Sequence, residues 1–577
     1  MKKIKVLNIT NIIYRFISSI LFFNIINLFK NNFNFDISFM QQLNIFSVIS
    51  SLIFIFIILS FISHIFKNNH IDYLITIISL FICSIFWLDD NNIFFIILLF
   101  LSFLLLYHFK PIDLNINFNN QNKKHIIIVL ISTTIMFTCI AIVGILRYKL
   151  FNSPNFDLGI PGQNFYYLKK VGIPFSTCER NILLSHFNIH FSPIFYLILP
   201  IYYLFSDITT LQIISALLIS SSTIPIYLLC KNHKVPILIT IILCLIFCTY
   251  APAICSTYYD FHENLFLTPM LLWLFYFYEK NNNIGIIILV LLVLLIKEDS
   301  ALYIIIFSIF TLFDKKPKYG IPMLIFSILY FITVIYFLKT YGTGIMTDRY
   351  NNLIYNDSSI LGVIKTILIN PGYFLKQLII SPENNLNKIK YIIELLLPLG
   401  FIPLYQKEKR NYLLLLPMLL TIMTTYEYSY NINFHYSCGI IAFLFYTSIK
   451  SIKENKINYY LFVCLIASIL LFKTYAFPEI EGNIKNYFEH KSELIKMEKM
   501  LNEIPKNASI NASAFLLPHL TNRDIIYEVY YHNDIPDIDY VVLDTRYNDY
   551  LEHYENYINN GYTKHKELKN KILILKK

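Results

Sequence analysis

Charged residues are scarce in this chain. Asp, Glu, Lys and Arg make up 15% of its 577 residues, whereas 56% are hydrophobic, and the mean hydropathy is +0.55. Soluble domains carry about 25% charged residues, so the composition excludes an ordinary soluble protein and indicates a polytopic membrane protein. A helical bundle in lipid can use most of such a length as one unit, and we expect an all-α membrane architecture.

Recognisable cysteine motifs are also absent. The nine cysteines follow no paired spacing, so their positions indicate neither a disulfide framework nor a zinc motif. The net charge of +10 is typical of basic cytoplasmic loops in a membrane protein, so we expect no nucleic-acid partner. No small-residue cleavage pattern follows the basic residues 1–5, and the first apolar stretch therefore predicts a retained helix rather than a removed signal peptide.

The apolar segments predict about 15 membrane crossings. Residues 1–120 form an N-terminal unit with crossings at 11–29, 44–66, 71–88 and 92–109. Residues 121–476 form the core, with crossings at 125–146, 208–230, 235–254, 265–278, the two halves of 284–313, 320–339, 391–405, 411–425, 436–449 and 457–475. The run 193–205 is too short to span and predicts an interfacial or re-entrant helix.

The positive-inside rule orients these crossings. A cytoplasmic N-terminus places Lys67 and the basic linker 110–124 inside and the large loop 147–207 outside. A single crossing through 284–313 would put the next basic loop outside. Two crossings, with the triplet Lys297 to Asp299 at the outer turn, keep it inside. We therefore expect a multi-pass plasma-membrane protein with Asp89 and Asp90 outside.

The polar tail, 477–577, predicts a small extracytoplasmic α/β domain. Alternating patterns at 525–527 and 540–544 predict strands, and those at 491–501 and 547–558 predict helices.

The polar clusters that could carry chemistry all fall on the predicted outer face, and such convergence favours a site. The candidate residues are Arg147, Asp157, His186, His190, Asp260, His262, Glu263, Lys297, Glu298, Asp299, Arg349 and His435.

The two acids of this set, Asp157 and Asp260, each allow two interpretations. Asp157 lies ten residues beyond a predicted membrane exit, ahead of Gly159 and Pro161. It is placed to act as a general base at the membrane surface, or to cap the helix that starts near Pro161. Asp260 and His262 could share a metal if a turn brought them together, or Asp260 could cap the helix predicted at 264–279.

The remaining candidates also have alternatives. His186 and His190 are four apart, so a helix would place them on one face as half a metal site, although stacking or backbone hydrogen bonds are the simpler interpretation. Lys297 either contacts a phosphate or forms a structural pair with the adjacent Glu298 and Asp299.

Several of these stretches resemble one family. Phe156 to Gly159, His190 to Pro193, Asp260 to His262, Lys297 to Asp299 and 539–544 match, in order and spacing, bacterial and archaeal membrane proteins of the domain-of-unknown-function 2079 family. The resemblance covers about residues 125–545.

That family in turn resembles the GT-C glycosyltransferases, which use polyprenyl-phosphate-linked sugars. The resemblance implies a GT-C-like helical bundle in which Asp157 is the acid of the first outer loop, and Tyr258 to Asp260 form the second acidic motif. It also implies Arg147, Lys297 and Arg349 as ligands of the donor phosphate. A divalent cation, Mg²⁺ or Mn²⁺, would lie on Asp157, Asp260 and His262, although His262 replaces a second acid.

The leading functional hypothesis is therefore an inverting glycosyl transfer from a polyprenyl-phosphate sugar to an extracytoplasmic glycan, lipid or protein. A lipid or polysaccharide transporter or flippase is an alternative, which predicts polar groups at the bilayer midplane and inverted repeats. A non-catalytic envelope scaffold is another.

Overall fold

A computed structural model describes residues 9–30, 43–66, 69–88, 93–108, 124–343, 347–353, 361–383, 385–455, 460–530 and 537–577. The basic N-terminal residues, Lys67, Asp89, Asp90 and nearly all of the linker 110–124 lie outside the described residues.

The described part of the chain is mostly helical. The helices of the N-terminal unit are Ile9–Lys30, Ile45–Phe66, Asn69–Trp87 and Ile93–His108. Those of the core are Lys124–Lys149, Ile160–Val171, Phe195–Leu204, Thr209–Ser221, Thr223–Asn232, Ile237–Cys248, Ala251–Cys255, Leu267–Glu279, Asn283–Leu294, Ser300–Phe313, Pro317–Tyr341, Leu361–Ile369, Pro371–Ile379, Asn387–Leu396, Pro417–Ile422, Cys438–Asn455 and Tyr460–Leu471. The tail contains Phe477–Asn502 and Tyr550–Asn559.

Seven of these helical stretches are long and apolar enough to cross a membrane: Thr10–Lys30, Ile45–Phe66, His70–Trp87, Lys124–Lys149, Thr209–Asn232, Pro317–Tyr341 and Tyr460–Asn502. Shorter apolar helices of 10–17 residues include Phe195–Leu204, Ile237–Cys248, Asn283–Leu294 and Ser300–Phe313. The multi-pass membrane protein is confirmed in this coarse form, but the count of about 15 crossings is not. The orientation of the termini and the plasma-membrane location stay predictions.

Two predicted crossings, 391–405 and 411–425, are broken into short turns. The helix Asn387–Leu396 is followed by 3₁₀ turns at Leu397–Leu399 and Ile402–Leu404. Prolines lack the backbone N–H that a continuing helix needs, and Gly400 and Phe401 adopt left-handed conformations at φ 57°. The chain therefore bends here. By contrast, the predicted interruption of 284–313 is present, between Asn283–Leu294 and Ser300–Phe313.

The tail contains the predicted α/β unit. Its sheet has the order β4-β3-β5-β7-β6, with β3 Ile510–Ala512, β4 Ile526–Glu528, β5 Tyr540–Asp544, β6 Thr563–Leu568 and β7 Ile572–Lys576. The strands β1 Phe175–Ser176 and β2 Leu184–Ser185 precede it in the chain and form a separate two-stranded antiparallel sheet. The strands β3, β4 and β5 pair in parallel, whereas β7 pairs antiparallel with β5 and β6. The central strand β5 is buried along its whole length, as an apolar strand covered on both faces should be. The helix predicted at 491–501 is the end of the longer helix Phe477–Asn502.

Candidate functional site

The loop that carries Asp157 is a single π-helical turn, Asn155–Gly159, directly before the helix Ile160–Val171. Gly159 occupies the N-cap position of that helix and makes no side-chain cap, so Asp157 is not the capping residue. Gly159 packs closely, because a Cβ atom there would lie 2.7 Å from a methyl group of Leu517 in the tail. Asp157 is partly exposed, beside the exposed Phe156.

Asp260 is buried and held from three directions. It is 1% exposed. Its Oδ1 accepts hydrogen bonds from Ser153 Oγ at 2.8 Å and Gln212 Nε2 at 2.5 Å, and Arg147 Nη2 lies 3.4 Å from its Oδ2. Its backbone is left-handed at φ 61°, a conformation that Asp tolerates better than most residues. A buried charge needs such paired donors.

The helical turn after Asp260 is capped by a neighbour instead. The Nδ1 atom of His262 accepts a hydrogen bond from the backbone N–H of Asn264 at 3.1 Å. The capping role considered for Asp260 therefore belongs to His262.

The side chains of Asp157 and Asp260 lie close enough to interact electrostatically. Burial raises the pKa of Asp157, and the negative charge of Asp260 raises it further. The hydrogen bond from Tyr259 and the charge of Arg147 lower it, and the net result is a pKa of about 7. A carboxyl group that titrates near neutral pH can accept a proton as a general base and release it again.

A second cluster surrounds Lys297. Its Nζ lies 3.2 Å from Glu263 Oε1, and both side chains are buried. Burial alone would raise the pKa of Glu263, but Lys297 and two histidines lower it to about 2. The ammonium group is likewise kept charged despite its burial, because Glu263, Glu298 and Asp299 raise its pKa. The direct ion-pair partner is Glu263, not a residue of the adjacent pair that the sequence suggested.

His186 and His190 each face a different carboxylate. His190 Nδ1 lies 2.9 Å from Glu298 Oε1, and His186 Nδ1 lies 3.4 Å from Glu179 Oε2. The two rings are 5.8 Å apart and tilted by 59°. His186 lies in the 3₁₀ turn His186–Asn188, and His190 follows that turn. The contacts of the two rings therefore favour hydrogen bonding to separate acids over a shared metal.

His262 and His435 form a stacked pair that lies between the two clusters. Their ring centroids are 3.4 Å apart at an interplanar angle of 13°, and the ring of Tyr259 lies 5.7 Å from that of His435. Burial is the main cause that lowers the pKa of both histidines well below the usual range. The charge of Lys297 lowers the pKa of His262 further, and the neighbouring His262 lowers that of His435. Both rings are therefore neutral at pH 7.

Arg349 is stacked on two aromatic rings. Its guanidinium is 4.1 Å from the centroid of Tyr426 and 5.6 Å from that of Tyr436. Arg stacks well because the planar guanidinium is weakly hydrated.

Within the described residues, no group of three or more His, Cys, Asp or Glu side chains could hold a metal ion. Asp157, Asp260 and His262 do not form such a group, and a divalent cation on them stays a prediction.

Sequence reasoning missed four residues that build these clusters: Ser153, Gln212, Glu179 and Glu528. Gln212 carried a usable signal, since a polar amide inside the apolar stretch 209–232 needs a partner in the membrane. The other three lie in polar segments, where the sequence does not distinguish one polar residue from its polar neighbours.

The tail domain packs directly on the Asp157 loop. Asn155 Nδ2, in the same π-turn as Asp157, donates a hydrogen bond of 2.6 Å to Glu528 Oε2. The main chain of Glu528 exchanges hydrogen bonds of 2.8 Å in both directions with the side chain of Asn181. His519 stacks on Tyr148 at 4.0 Å. The tail therefore supports the loop that presents the candidate base.

The family model described as "Predicted membrane protein (DUF2079)" matches residues 147–571. The chain belongs to this family. The match begins at Arg147 and runs through both acids and most of the tail sheet, so the site described above lies within the family's common region. None of the curated proteins compared with the chain matches it.

Proposed function

We propose that the protein is an inverting membrane glycosyltransferase, which moves a sugar from a polyprenyl phosphate to a hydroxyl group of an envelope glycan, lipid or protein outside the plasma membrane. The observation that supports this most is the pair of acids: Asp157, with a pKa of about 7, lies close to the buried and firmly anchored Asp260. One acid is set to exchange a proton at neutral pH, and the other holds the surrounding loops in place.

Asp157 acts as the base in the proposed transfer step. Its carboxylate takes the proton of the acceptor hydroxyl while that oxygen forms a bond to the anomeric carbon of the sugar. The bond from this carbon to the phosphate oxygen breaks, and its electron pair leaves on the polyprenyl phosphate. Attack from the side opposite the phosphate inverts the configuration.

Arg147 is the best-placed cation for the departing phosphate. It contacts Asp260 through Nη2, while its Nε is buried without a hydrogen-bond partner among the described residues. Phosphate suits a guanidinium because two parallel N–H groups can bind two of its oxygens. Arg349 is the second candidate cation, and Lys297, whose single ammonium group is buried against Glu263, is the third.

The test is sugar transfer by the full-length protein in lipid vesicles, supplied with a panel of radiolabelled polyprenyl-phosphate hexoses and pentoses and an envelope extract as acceptor. We expect transfer from one donor and a loss of about 10²–10⁴-fold on D157N. D524N is the matched control, since Asp524 is an exposed acid of the tail paired with Lys170. A parallel reaction with a chelator tests the Mg²⁺ or Mn²⁺ prediction. Equal transfer by D157N and wild type would overturn the proposal.

A further inference from the structure

A polar cavity of about 290 Å³ lies between the helix Asn387–Leu396 and the segment 427–433. Asn387, Lys390 and Glu394 line it from the helix. Their spacing of three and four residues places them on one face. Tyr475 lines it as well. The volume is near the lower end of ligand pockets, which span about 300–1,000 Å³.

Polar atoms in this wall are only partly satisfied. Tyr475 Oη donates a hydrogen bond of 2.6 Å to Glu394 Oε1, and Lys390 Nζ lies 3.7 Å from the same oxygen. Tyr430, however, is 4% exposed, and its hydroxyl has no partner among the described residues. A buried hydroxyl without a partner is costly, so a ligand oxygen that reached it would bind favourably.

The charges of the lining disfavour an anionic ligand. Lys390 is balanced by Glu394, and Glu427 adds a further negative charge, so the cavity has no surplus of cations to attract a phosphate. The other polar groups are the amides of Asn387, Asn431 and Asn433. Amides donate and accept hydrogen bonds at once, as a hydroxyl-rich ligand requires.

The cavity is connected to Asp157 through the rings of Phe434 and Tyr259. Asn433 lines it, and the next residue, Phe434, packs its ring 4.5 Å from that of Tyr259. Tyr259 in turn hydrogen-bonds Asp157. We infer that this cavity binds a neutral sugar unit, and that the unit belongs to the acceptor glycan. Its role as acceptor site rests on the proposed function, whereas binding itself does not.

The experiment is calorimetric titration of the full-length protein in lipid nanodiscs, which avoids detergents with sugar headgroups. The probes are glucose, galactose, mannose, N-acetylglucosamine and their common disaccharides, with inorganic phosphate as the charged comparison. We expect saturable binding of at least one sugar and none of phosphate at the same site. N433A should weaken that binding about tenfold or more, because it removes an amide from the wall. E394Q should weaken it as well, because it removes the carboxylate that accepts from Tyr475 and balances Lys390.

Asn351→Ala is the matched control, since Asn351 is an exposed amide that lines a separate cavity of about 490 Å³ beside the helix Pro371–Ile379. N351A should leave sugar binding unchanged. Absence of saturable sugar binding, competition by phosphate, or equal weakening by N351A would overturn the inference. The titration is repeated with D157N. Sugar binding by the wild type and by D157N, with no transfer by the wild type from any donor, would defeat the proposed function and leave the cavity assignment standing.

Discussion

Ser153 Oγ donates a hydrogen bond of 2.8 Å to Asp260 Oδ1, although 107 residues separate the two in the chain. Ser153 lies four residues before Asp157, so this bond joins the loops that carry the two acids. Tyr259, directly before Asp260, reaches back to Asp157. The proton affinity of Asp157 therefore depends on two adjacent residues that act in opposite directions.

The transfer rate should rise with pH through about 7, because Asp157 accepts a proton only as the carboxylate. The measurement is kcat/KM against pH, where the acidic limb should have its midpoint near this value. An acidic limb centred near pH 4, the ordinary range of a carboxyl group, would contradict it.

The stability of the protein should also depend on the ionisation of Asp157. Since the pKa of Asp157 is raised on folding, its contribution to stability is complete below about pH 4 and is lost as the pH rises through about 7. D157N should therefore unfold at the same temperature as the wild type or higher at pH 8, and D524N serves as the control. A clearly lower unfolding temperature of D157N at pH 8 would show that the carboxylate is structural.

Y259F should move the acidic limb to higher pH. The variant removes the hydroxyl whose hydrogen bond lowers the pKa of Asp157, and it keeps the ring that packs against Phe434. The pH profile of kcat/KM reports the shift. A limb that stays in place would show that Tyr259 does not act on the base.

D260N should move the same limb to lower pH, because the negative charge of Asp260 raises the pKa of Asp157. An asparagine tolerates the left-handed backbone and keeps an oxygen for Ser153. Shifts of D260N and Y259F in the same direction would contradict this electrostatic account.

E528A tests the support that the tail gives to the Asp157 loop. The variant removes one of the two hydrogen bonds that Asn155 Nδ2 donates, while the bond to the carbonyl of Cys178 remains. We therefore expect about 0.5–1.5 kcal/mol less free energy of unfolding, together with a lower kcat at unchanged KM. E567A is the control, since Glu567 is an exposed acid on β6. A fall in stability with normal kcat would make the contact purely structural.

K297M separates the two roles considered for Lys297. Removing one partner of the buried pair should cost about 3–5 kcal/mol, and the double variant with E263L should recover most of it. Thermal unfolding measures both, with K318M as the exposed control. A K297M variant of normal stability with weakened donor binding would assign Lys297 to the phosphate instead.

The sequence by itself determined the features that depend on composition and local period. Low charge and long apolar runs established a multi-pass membrane protein, and the strand predicted at 540–544 is β5 with the same bounds. The turn at Lys297 to Asp299 was predictable because three consecutive charges cannot lie comfortably inside an apolar helix.

Only the tertiary structure decided which polar groups meet. Glu528 reaches Asn155 across 373 residues, and Gln212 reaches Asp260 across 48. Lys297 pairs with Glu263 rather than with its neighbours in the chain. Hydropathy and period are properties of short windows, whereas the partner of a buried charge is fixed by the packing of distant helices and loops, which must satisfy every charge they take out of water.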